Sequence, residues 1–237
     1  MVRYLTKRQL YSQIHQYKQG LGLDHNDYRF NMLHICKQKG ILLEQIPFST
    51  KHLRGMAAIG SVPGEDVILL NSNRSNTEQN FDCGHEYVHL CLHRRLEKRV
   101  FNCLDVVCVK QDEYIEWQAN EGAAEMLVPF GVLLPLIKTG PFSMANPYDI
   151  AYLKDYAADM FNVTRTVIEY RLESLKYEIH QYINGIPLRD IKMLSLSQQK
   201  RQKINIKSLN DIEKELRDLR TYSLPRSSFI NFDSAFI

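Results

Sequence analysis

Apolar positions recur at helical spacing along most of this chain, with one interruption near its start. Residues 7–39 are rich in helix formers and are broken at Gly20-Leu21-Gly22, which predicts two helices. In the second, Tyr28, Met32, Ile35 and Cys36 share a face, and Gly40 ends it. The period then shortens. Ile41–Phe48, Leu53–Ile59 and Asp66–Asn71 read as strands, with a turn at Pro63-Gly64, and predict a small antiparallel sheet.

Helical spacing returns over Ser75–His93, where Phe81, His85, Val88, His89 and Leu92 follow the 3.6-residue period. Ser75 or Asn76 can cap this helix, and Glu78 stands where a capping-box acid would. A basic patch (Arg94, Arg95, Lys98, Arg99) and a β-like run, Leu104–Val109, come next. A second strong helix covers about 112–128 and ends near Pro129; shorter ones are expected at 130–138 and 147–160. Leu153–Leu175 has a helix-turn-helix pattern, in which Asn162 ends one helix and Thr164 caps the next. The tail after about 187 is polar. Its segment Asn210–Leu219 predicts a helix with Glu213 and Arg217 paired one turn apart. This order of elements predicts an α+β fold. Residues 1–140 are expected to form the core, 141–186 a helical subdomain, and 187–237 a polar, less ordered extension.

The chemistry lies in the first strong helix, as His85-Glu86-Tyr87-Val88-His89. Residues four apart on a helix share a face, so both imidazoles can meet one metal ion. Glu86 is turned away from the metal yet can reach a metal-bound water, the position of a general base. A catalytic zinc needs a third protein ligand. The extended motif that supplies a third histidine is absent, because Arg95 stands at that position. His93 would sit about 6 Å further along the helix axis, too far for a compact site, and is given a supporting role. The third ligand is expected on the second helix. Glu116 is favoured, with Asn120 four residues on to orient a ligating histidine; Glu113, Glu121 and Glu125 are its rivals.

Composition narrows the setting. The 237 residues are 44% hydrophobic and 24% charged with a net charge of +3, so no strong field argues for nucleic acid or a membrane. The first eight residues are not followed by an apolar run of signal length, and no stretch approaches the ~18 apolar residues that span a bilayer, so a cytoplasmic protein is expected. Five cysteines (Cys36, Cys83, Cys91, Cys103, Cys108) show no Cys-x-x-Cys spacing and read as reduced thiols.

Two segments together resemble the ImmA/IrrE family of metallopeptidases. Phe81–His93 is similar to that family's F-x-x-x-H-E-x-x-H-x-x-x-H, and Glu116–Pro129 to its E-x-x-A-N-x-F-A-A-x-L-L-M-P; the likeness covers roughly residues 25–177. It implies a zincin-like core, zinc held by His85, His89 and Glu116, and Glu86 as the catalytic glutamate. It also implies that the partner protein cleaved is a DNA-binding repressor. Two departures stand out. Gly122 occupies a position where the family usually has Phe, and Tyr87-Val88 replaces its usual Leu-Gly or Phe-Gly. The alternative is a non-proteolytic, metal-containing regulatory protein that acts through DNA or protein binding. A toxin- or antitoxin-like partner in a mobile-element switch would share the first reading's chemistry.

Overall fold

Thr6 begins the first helix. It accepts a hydrogen bond from Gln9 N, the Gln9 side chain reaches back to Thr6 N, and this capping box starts α1 (Lys7–Gly20). A computed structural model describes residues 4–50, 52–62, 64–104 and 112–223. Helix α2 (Met32–Gln38) starts later than the apolar spacing suggested, so Tyr28 lies outside it. Asn31 fixes that start by accepting from His34 N, and Gly40, at φ 79°, takes the left-handed conformation just beyond the end.

Strands β1 (Leu42–Ile46), β2 (Leu53–Ala58), β3 (Val67–Asn71) and β4 (Val100–Leu104) form one sheet in the order β1-β3-β2-β4. The expectation of a wholly antiparallel sheet is corrected here. β2 pairs antiparallel with β3 and β4, but β1 runs parallel to β3, with Leu43 opposite Ile68. The chain leaves β1, skips one strand position and returns as β2. The hairpin from β2 then fills the gap, which forces β3 parallel to β1. Pro63 and the part of the expected run Leu104–Val109 beyond Leu104, including Cys108, lie outside the described residues.

Helix α3 (Asn76–Leu92) follows with the expected ends: Ser75 and Glu78 form the capping box and His93 is the C-cap. It is buried continuously from Gln79 to Leu90, packed between the sheet on one side and α4 (Glu113–Leu127) on the other. A helix enclosed on every side is expected to be apolar throughout. This one carries Asp82, His85, Glu86 and His89 into the interior. Asp112 caps α4, accepting from Tyr114 N and Ile115 N. Ala119 and Ala123, both fully buried, help α4 lie close against α3.

The rest is helical: α5 (Phe130–Thr139), α6 (Pro147–Phe161), α7 (Arg165–Ser174), α8 (Lys176–Ile183), α9 (Leu196–Arg201) and α10 (Leu209–Ser223). Asn162, at φ 54°, closes α6, and Thr164 caps α7 by accepting from Val167 N. The helix-turn-helix segment is fastened to the core by a buried ionic network. Arg171 of α7, fully buried, pairs with Glu121 and Glu125 of α4, and with the Tyr11 hydroxyl and Val128 O. Lys7 of α1 joins Glu178 at 3.1 Å and Ser174 O at 2.6 Å. The polar tail carries more order than expected as far as α10. Leu194 and Leu209 are buried, Lys154 of α6 meets Glu213 at 2.7 Å, and Glu213 also takes the expected Arg217 partner at 2.8 Å. Among the described residues, no single helix is long and apolar enough to cross a membrane.

Candidate metal centre

The facing surfaces of α3 and α4 bring His85, His89 and Glu116 to one point. His85 Nε2 lies 3.0 Å from His89 Nε2, and Glu116 Oε2 lies 3.4 Å from the first and 3.8 Å from the second. Ligands at ~2.0–2.1 Å from a tetrahedral zinc are about 3.3 Å from one another, so these spacings fit one ion. The other side of His85 is held by Asn120, whose Oδ1 is 3.0 Å from Nδ1. Donation from Nδ1 leaves Nε2 with a bare lone pair facing the centre. His89 likewise turns Nε2 inward, with its Nδ1 2.9 Å from His93 Nδ1. Its ring stacks on Phe101 of β4 at 4.4 Å between centroids.

Glu86 lies beside this cluster, fully buried, and among the described residues neither of its carboxylate oxygens has a hydrogen-bond partner. β2 comes so close that a Cβ on Gly55 would sit 2.9 Å from Glu86 Oε1. An unpaired buried carboxylate beside inward-facing imidazoles and a second carboxylate is an electron-rich pocket, which a cation and its water would satisfy. The donor set therefore fits zinc.

The titration directions agree with that arrangement. Burial, then the negative charges of Glu116 and Asp82, raise Glu86 well above the ordinary carboxylate range. Burial also pushes Glu116 upward, but the adjacent imidazoles of His85 and His89 carry it below that range. Burial lowers His89 to about 3 against the opposing pull of Glu116.

Glu113, Glu121 and Glu125 point elsewhere. Glu113 is exposed at the start of α4, and the other two are committed to the Arg171 network. His93, too far along α3 to join the cluster, contacts His89 and, through Nε2, Gln118 Oε1 at 2.9 Å. Sequence reasoning missed Phe101, Gln118 and Gly55. Only Gly55 left a signal, since a lone glycine inside a strand pattern marks a close approach. Cys103 and Arg54 were also missed. The Cys103 thiol lies within 4.8 Å of ligand atoms of His85 and Glu86, and accepts from Arg54 Nη2 at 2.7 Å.

Comparison with known proteins agrees with this geometry. Residues 36–173 match the family model described as the IrrE N-terminal-like domain of peptidases. The chain is 31% identical over 111 residues to a protein of Bacillus subtilis (strain 168) named Metallopeptidase ImmA. That match covers 46% of this chain and 58% of the relative.

Proposed function

This chain belongs to the IrrE N-terminal-like peptidase family, and from that premise we propose that it is a zinc-dependent endopeptidase acting on a DNA-binding repressor. The observation that carries the enzymatic part is the unpartnered, buried Glu86 carboxylate beside the converging His85, His89 and Glu116. A zinc ion held by those three residues supplies Lewis acidity, which acidifies water and polarises a carbonyl. Glu86 takes the proton from the attacking water and hands it to the leaving amine. Its burial favours holding that proton between the two steps, because the carboxyl is already biased toward its neutral form. Glu116, biased the other way, keeps its negative charge. Asn120 fixes the ring of His85, and the backbone of β2 at Gly55 keeps the Glu86 side chain against the cluster.

The repressor as substrate follows from the resemblance of Phe81–His93 and Glu116–Pro129 to the ImmA/IrrE segments. The DNA-binding alternative draws no support from α7. Arg165 is paired with Asp155 at 2.6 Å and Glu169 at 3.1 Å, and Arg171 is buried in the ionic network. Few cations are left there to meet phosphates.

Elemental mass spectrometry on the wild type, His89→Ala and Glu116→Ala, beside a cleavage assay on Glu86→Gln, tests the reading. The wild type should carry about one zinc per chain, and both ligand variants should lose it. Glu86→Gln should keep zinc and cut at least ~100-fold more slowly. Cleavage that survives Glu86→Gln overturns the mechanism.

A further inference from the structure

A chain of hydrogen bonds leads away from the metal position, and each link has a determinable direction. It starts at Gln118 of α4, whose Oε1 faces His93 Nε2, 2.9 Å away. An amide oxygen only accepts, so His93 carries its proton on Nε2 and leaves Nδ1 bare. His93 Nδ1 lies 2.9 Å from His89 Nδ1. A bare nitrogen requires a donor there, so His89 carries its proton on Nδ1.

We propose that Gln118 and His93 form a one-directional relay that locks His89 in the Nδ1–H tautomer, with its Nε2 lone pair presented to the metal. Both are positioning residues, and the proposal rests on the metallopeptidase reading given above. The tautomer of a ligating imidazole is set by the bond its other nitrogen makes, and losing such a partner typically costs about 10–100-fold in metal affinity. The two ligating histidines are thus set by two neutral amides of α4, Asn120 for His85 and Gln118 for His89. His89, His93 and Gln118 are all buried, so water does not compete for these links.

The direct test needs no substitution. Long-range proton–nitrogen NMR on the zinc-free wild-type protein should place the His89 proton on Nδ1, whereas the free side chain in water favours Nε2. A proton on Nε2 overturns the proposal. Chelator-competition titrations with zinc then read the consequence. Gln118→Met, which keeps bulk and removes the acceptor, should bind zinc about 10–100-fold more weakly. Gln118→Glu, which keeps the acceptor, should stay within about threefold of wild type. Zinc affinity unchanged in Gln118→Met, in a variant whose circular dichroism matches wild type, overturns the relay. A wild type that binds no zinc yet shows His89 Nδ1–H sinks the peptidase reading instead and leaves the relay standing.

Discussion

Val88 of α3 fills the space that Gly122 of α4 leaves open. A Cβ on Gly122 would lie 3.2 and 3.3 Å from the two γ-carbons of Val88, and 2.9 Å from Ile14 Cδ1. Val88 and Gly122, two positions that depart from the ImmA/IrrE pattern, thus meet directly in the packing of α3 against α4.

Gly122→Ala should accordingly destabilise the protein. The helix gains roughly 0.5–1 kcal/mol from replacing glycine. Crowding against Val88 and Ile14 costs about 1–3 kcal/mol. The expected net loss is about 1 kcal/mol in urea denaturation, from the difference of those two effects. Val88→Ala should also destabilise alone, yet the double variant should lose less than the sum, because the new methyl enters the space the valine vacated. Strict additivity would mean that the two side chains do not share that space.

Gly55→Ala should separate activity from stability. The added methyl meets the end of the Glu86 side chain, which is flexible enough to move aside at little cost in folding. Moving it displaces the proposed base from the attacking water. Cleavage should fall at least ~10-fold while zinc content and thermal midpoint stay near wild type, since small misplacements of a reacting group are costly. Equal rates in the two proteins would show that the β2 backbone does not fix the Glu86 carboxylate.

Arg171→Met should be the most damaging single change outside the metal cluster. It leaves Glu121 and Glu125 buried beside each other with their main cation gone. Breaking one side of a buried ion pair costs about 3–5 kcal/mol. Chemical denaturation measures this directly. A loss under about 1 kcal/mol would show that water or protonation relieves the two acids.

Local pattern was enough to find the helices that carry the chemistry. Ser75 with Glu78, and the 3.6-residue recurrence through His85 and His89, announce α3 and its caps within a few residues. Asn162 and Thr164 do the same for the junction of α6 and α7. What the sequence did not disclose depends on partners distant along the chain. The parallel pairing of β1 with β3 is decided by which gap β2 leaves, not by either strand's alternation. Nothing local to Arg171 announces its burial, because its partners Glu121 and Glu125 lie 50 and 46 residues away. Phe101 stacks on His89 only because β4 lies beside β2, across the sheet from its place in sequence. Gln118 was passed over because Glu116 and Asn120 flank it on a different face of α4.

The zinc-free protein should lose stability on acidification, and His89 should account for the upper part of that loss. In the unfolded chain its imidazole titrates near 6.5, whereas burial in the fold lowers it to about 3. Between those values the unfolded state binds the proton that the folded state refuses, so unfolding becomes easier as pH falls through the window. The contribution is fully present above about 6.5 and exhausted near 3. Glu116 adds to the same trend lower down. Despite its burial, the adjacent imidazoles of His85 and His89 keep it ionised below its ordinary 4.5, and stability is lost as it is finally protonated. Glu86 has the opposite sign. Its raised value means the folded state holds the extra proton, so its contribution is present in acid and lost as pH rises. Comparing wild type with His89→Gln, both of which keep Glu86, isolates the imidazole. Urea denaturation from pH 7 to pH 4.5 should give a shallower fall in the variant. Equal slopes would mean that the folded protein protonates His89 as readily as water does, and that the imidazole is not sealed against the metal position.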